Sequence, residues 1–154
     1  MEMNKNVFKE SLESMLQMQI DNERLASKMN ASLNLKLLEI DEENLNWVDF
    51  VYQAKESHTN AYGGIHGGIA CAILDTCAGF AIAAFSQRSP STVSLTTNYL
   101  LPMCGTDFRI HVVLNHIGNK VASATGEIYD QNTNELCVTS LIQYILLNHT
   151  ISEI

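Results

Sequence analysis

The chain has 154 residues, the size of one ordinary domain, with 46% hydrophobic and 17% charged residues, two prolines and eight glycines. That balance excludes a disordered, collagen-like or proline-rich chain. A net charge of −8, with nine basic residues scattered along the chain, also argues against a nucleic-acid footprint.

Phe8, Leu12, Met15, Leu16 and Ile20 recur at helical spacing with charges between them. They predict an amphipathic helix over residues 1–30, packed on the body of the domain, in preference to a Met-lined binding surface. Met1 to Glu23 carries acids and lacks a continuous apolar stretch, so it does not read as a signal peptide. The main domain is expected over residues 31–154. Leu33, Leu35 and Leu37 alternate with Asn34 and Lys36, the period of a half-buried strand. Asp41 to Asn44 makes a polar turn before a second strand at residues 47–54.

A glycine-rich stretch, Asn60 to Gly68, opens a long apolar helix that runs to about Phe85. Gly63 to Phe85 is long enough to cross a bilayer. Its composition of Gly, Ala, Cys and Thr, with Asp75 at the middle, favours the core of a domain over a membrane span. After Ser89-Pro90 the period of two returns at about 92–100, 108–115, 121–129 and 136–147. Pro102 with Gly105, Gly118-Asn119 and Gln131 to Asn134 mark the turns between these strands. Short turns suit antiparallel neighbours. The expected architecture is α+β, an antiparallel sheet of about six strands wrapped around one long buried helix, with an extra N-terminal helix.

Cys71, Cys77, Cys104 and Cys137 form no CxxC pair and have no metal-ligand spacing. They read as small core residues in a reduced, cytoplasmic chain, and no metal site is expected. The five histidines show no ligand spacing, and four of them read as surface or strand residues.

Chemistry concentrates at the start of the long helix. His66-Gly67-Gly68 places glycines where backbone N–H groups point outward at the positive helix end, a setting for a phosphate, a carboxylate or a developing oxyanion. Asp75 is the only carboxylate between Glu56 and Asp107, and a charge on an apolar helix needs a reason. Gly67 and Asp75 are eight residues apart, about 12 Å along a helix. A base and an oxyanion donor must both lie about 3 Å from one reacting group. One chain does not readily offer both to the same carbonyl, whereas two antiparallel helices related by a two-fold axis do.

Asn60 with Gly63, Ile65-His66-Gly67-Gly68, and Asp75 nine residues after the histidine together resemble the hotdog-fold acyl-CoA thioesterases of the phenylacetate-degradation (PaaI-type) group, within the 4-hydroxybenzoyl-CoA thioesterase-like superfamily. Thr92-Val93-Ser94-Leu95 leading into Asn98-Tyr99-Leu100-Leu101-Pro102 is similar to that family's strand with a Tyr-x-x-Pro corner. Gly118-Asn119-Lys120 falls where the family has glycine and basic residues. The resemblance spans roughly residues 35–147. It implies that the Gly67 N–H polarises the thioester carbonyl and that Asp75 of a partner subunit acts as base or nucleophile. Asn60 would hold the water or carbonyl, His66 the thioester end, and Thr92 would position the water beside Asp75. Lys120 and, less directly, Arg88 would meet coenzyme A phosphates, with Gly68 contributing at the helix start.

The resemblance therefore implies hydrolysis of acyl- or aryl-CoA thioesters by a homodimer or dimer of dimers. It implies no cofactor beyond the coenzyme A of the substrate, and neither nucleic acid nor membrane as a partner. Asn119 stands where a second basic residue is usual, which keeps a non-catalytic acyl-CoA binding or sensing module as the alternative.

Overall fold

The computed structural model describes residues 3–150. The N-terminal segment is three helices rather than one: α1 (Lys5–Asp21), α2 (Glu23–Ala26) and α3 (Met29–Leu33). Asparagines make the divisions. Asn4 caps α1 by accepting from the Asn6 N–H at 2.8 Å, and Asn22 ends α1 and caps α2 by accepting from the Arg24 N–H at 3.0 Å. Asn34, at φ 49°, closes α3 in the left-handed conformation that Asn tolerates better than most residues. That cap corrects the expected strand start: Leu33 is the buried last residue of a helix, and β1 begins at Lys36. Phe8 and Leu12 are fully buried, Met15 and Leu16 pack against the core in part, and Ile20 is more than half exposed, so the anchoring of α1 weakens along its length.

Six antiparallel strands follow: β1 (Lys36–Ile40), β2 (Trp47–Gln53), β3 (Arg88–Tyr99), β4 (Asp107–Ile117), β5 (Val121–Asp130) and β6 (Leu136–Thr150). They form one sheet in the order β1-β2-β4-β5-β6-β3. The two Gly/Asn-marked connections, β4 to β5 and β5 to β6, join neighbours as expected. The Pro102–Gly105 segment does not: it carries the chain across the end of the sheet, because β3 pairs with β6 instead of β4. Strand β3 also takes in Ser89-Pro90, ahead of the expected start at Thr92. A proline is admissible there because β3 is an edge strand and one of its flanks donates to no ladder.

The helix α4 (Gly67–Ser86) lies across the inner face of this sheet, which makes the fold a hotdog. Ala122, Ala124 and Gly126 of β5 face it, and their small size lets helix and sheet approach closely. Ile73, Leu74, Cys77, Ala78, Ala81 and Ile82 are fully buried; each large aliphatic among them contributes about 1.5–3 kcal/mol. By length and composition α4 could cross a membrane, yet half of that stretch is buried within the protein. The α1 helix packs against the other side of α4, where Phe8 and Phe85 meet edge to face with centroids 6.1 Å apart. On the outer face of the sheet, the nearly buried Asp49 is satisfied by Arg109 at 3.2 Å and His111 at 2.5 Å.

Candidate active site

His66 is the N-cap of α4, and its Nδ1 accepts the Gly68 N–H at 2.9 Å. This occupies one of the donors expected at the helix start, so Gly68 has none to offer a ligand. The Gly67 N–H, one position earlier, has no acceptor among the described residues. It opens into a cleft of about 350 Å³ lined by Asn60, Ala70, Tyr99, Pro102 and Met103. The Tyr99 hydroxyl donates to the Gly67 carbonyl at 2.8 Å and lies 3.0 Å from the Cys71 sulfur. Burial and the Cys71 thiol push the Tyr99 phenol up to about 12, so it remains a donor at neutral pH. A β-carbon on Gly67 would come within 3.1 Å of that hydroxyl, so a larger residue here requires Tyr99 to give way by a few tenths of an ångström.

The loop before α4 is held from below. The His58 carbonyl accepts the His66 N–H at 2.9 Å, and the buried His58 ring is bonded through Nδ1 to the Tyr52 hydroxyl at 2.7 Å. His58 is thus an interior residue, against the surface or strand position expected for most of the histidines. Asn60 turns the loop by accepting the Tyr62 N–H at 2.9 Å through its side-chain oxygen.

Asp75 lies two turns further along α4, partly exposed, where side chains of β3 and β6 reach it. The Thr92 hydroxyl donates to its Oδ1 at 2.7 Å. The Tyr144 hydroxyl, shared between the Asp75 carbonyl at 2.8 Å and Oδ1 at 3.1 Å, holds the same oxygen from β6. Burial pushes the Tyr144 phenol far up, and the adjacent carboxylate adds to the shift, so this group is a permanent donor. Both described donors converge on Oδ1 and leave Oδ2 available. Tyr144 was not foreseen: its only sequence signal is an inward position in the period-two pattern of β6. Asp75 opens into a second cavity, of about 480 Å³, which does not include Gly67. Within one chain Gly67 and the Asp75 carboxylate therefore line different spaces.

Arg88 and Lys120 do meet, at an open pocket of about 620 Å³ with Asn119 and Asn148. The Arg88 guanidinium is largely committed to the backbone, donating to the carbonyls of Asn119, Leu146 and Leu147 at 2.5, 2.8 and 3.0 Å. Lys120 is exposed and its ammonium has no partner among the described residues. Of the cysteines, Cys77 and Cys137 are core residues as expected, whereas Cys104 is exposed and Cys71 borders the Gly67 cleft.

An antiparallel sheet enclosing one helix, with a glycine-opened helix start and a carboxylate two turns on, defines the hotdog class. Residues 62–137 match the family model described as the thioesterase superfamily. Its structure is similar to that of the Escherichia coli PaaI protein from the phenylacetic acid degradation operon, with a TM-score of 0.77, 15% identity, and 94% and 96% of the two chains covered. Zebrafish thioesterase superfamily member 2 is similar at a TM-score of 0.75 and 20% identity, covering 88% of this chain and 98% of the other. A Streptococcus mutans protein bound to acetyl-CoA is similar at 0.66 and 15% identity, covering 73% and 88%. No curated protein matches the chain by sequence.

Proposed function

We propose that the protein hydrolyses acyl- or aryl-CoA thioesters at a site shared between two subunits. The observation that carries this reading is the division of the chemistry. A carboxylate held by Thr92 and Tyr144 faces one cavity, and an unpartnered Gly67 N–H at a helix start faces another, about 12 Å away along α4. A second copy with its helix antiparallel brings Gly67 of one subunit opposite Asp75 of the other. The free edge of β3 offers the means of joining the two sheets, since an unpaired edge of 12 residues is a template for another strand.

In this arrangement Asp75 removes a proton from water as the water oxygen bonds to the thioester carbon. The Gly67 N–H and the dipole of α4 stabilise the oxyanion. Collapse of the intermediate breaks the C–S bond and the thiolate leaves, taking up a proton. An attack by Asp75 itself, through an anhydride that water then opens, uses the same geometry. Lys120 is the free cation beside the open pocket at β5 and β6 and suits a coenzyme A phosphate. The match to the thioesterase superfamily model supports the reaction class, and the acetyl-CoA held by the Streptococcus mutans protein supports the substrate class.

Thiol release from a panel of acyl- and aryl-CoA thioesters tests the reading. Asp75→Asn is expected to lower turnover by about 10²–10⁴, the ordinary worth of a general base, with assembly unchanged. Binding of thioesters by the wild-type protein without any thiol release would instead favour the non-catalytic acyl-CoA module.

A further inference from the structure

The cavity at Asp75 is walled by the part of the chain that the family motif does not explain. Met15 and Met18 of α1, Leu25 of α2 and Met29 of α3 face Phe80 and Ala83 of α4 across its 480 Å³. This volume falls within the range of small-molecule sites. The walls are tied in place, with Asn30 of α3 accepting from the Thr76 hydroxyl at 3.2 Å, directly beside Asp75. Asp75, Gly79 and Ala83 recur every four residues and stack on one face of α4. The absent side chain at 79 and the methyl at 83 leave a groove that runs about 12 Å from the carboxylate. Opposite it, Met18 and Met29 are 39% and 53% exposed, so neither is spent on the core.

We propose that this cavity receives the acyl part of the substrate and that Met15, Met18 and Met29 select it, favouring unbranched apolar chains of medium length over acetyl and aryl groups. The proposal rests on the hydrolytic reading of Asp75. An elongated groove with an apolar wall suits a chain that can follow it. Methionine, unbranched and polarisable, adapts to such a ligand where a rigid ring-binding slot is built from stacked aromatics.

The test is a series of acetyl-, hexanoyl-, decanoyl-, hexadecanoyl- and phenylacetyl-CoA. The full-length protein is compared with Met18→Trp, Met29→Trp, Met18→Ala and Met29→Ala, with circular dichroism and light scattering to establish folding and assembly. The wild type is expected to prefer decanoyl-CoA. The tryptophan variants should lower its kcat/KM relative to acetyl-CoA by about tenfold or more, while the alanine variants move the preference toward hexadecanoyl-CoA. An unchanged profile in the folded variants overturns the proposal and leaves the hydrolytic reading standing. Absence of hydrolysis with every thioester overturns the hydrolytic reading, and calorimetry with decanoyl-CoA then decides the proposal alone. Weaker binding by the tryptophan variants supports it; equal binding, or none by the wild type, overturns it.

Discussion

At the scale of single residues, His58 shows how a group outside the chemistry governs the loop that presents it. Burial holds its ring below the ordinary value of 6.5, and the charge of Lys55 adds to the effect. Its neutral ring is bonded to Tyr52, and its carbonyl takes the His66 N–H at the start of α4. The unfolded chain binds a proton on this ring at a pH where the folded chain does not. The stability tied to neutral His58 is therefore complete above about pH 6.5 and is lost as pH falls from there toward the lowered folded value. The urea midpoint should drop between about pH 7 and pH 5, and His58→Gln should reduce the drop. An equal drop in the variant would assign the acid sensitivity to other groups. Gly67 and Asp75 could be singled out in sequence because their types and spacing are unusual, and Thr92 only through the family resemblance. Tyr144 could not, since an inward tyrosine of a strand looks the same whether it fills the core or bonds a carboxylate.

At the scale of elements, α4 was legible because an uninterrupted apolar stretch has few other places to lie, and the strands because alternation marks a half-buried sheet. The place of β3 was not legible. Its ladder is with β6, some fifty residues away, and no local signal distinguishes a crossover from a hairpin. The splitting of residues 1–30 escaped for a similar reason: Asn22 and Asn34 end helices through side-chain and backbone geometry that hydrophobic periodicity does not register. Close contact between α4 and β5 sets the depth of the core. A β-carbon on Gly126 would lie 2.7 Å from a methyl of Leu74, a fully buried side chain that would have to shift within the core. Gly126→Ala should cost about 1–3 kcal/mol in urea unfolding, with an unaltered dependence on denaturant.

For the whole molecule, the proposed division of one site between two subunits has a test that single variants lack. In the proposed homodimer Asp75→Asn removes the carboxylate half of every site and Gly67→Pro the N–H half, since proline lacks that donor and is tolerated at the first position of a helix. Unfolded and refolded together, they form mixed dimers in which one of the two sites unites an intact Gly67 with an intact Asp75. Recovery of roughly a quarter of the wild-type rate is expected from random pairing. A mixture no more active than its components would place both groups in a single subunit's site.

The α1 helix does two things along its length. Its first turns are fastened by Phe8 and Leu12, which sit wholly inside the protein, whereas Met15 and Met18, one to three turns later, look onto the cavity beside Asp75. On the proposed reading, gauging rests chiefly on Met18, outside the turns that fasten the helix, and off the strands and helix that bear Asp75 and Gly67. A lineage carrying this fold can exchange the side chains that measure the substrate without loosening the helix or disturbing the carboxylate. Substrate range becomes a trait that drifts on its own, one methionine at a time, around chemistry that stays fixed.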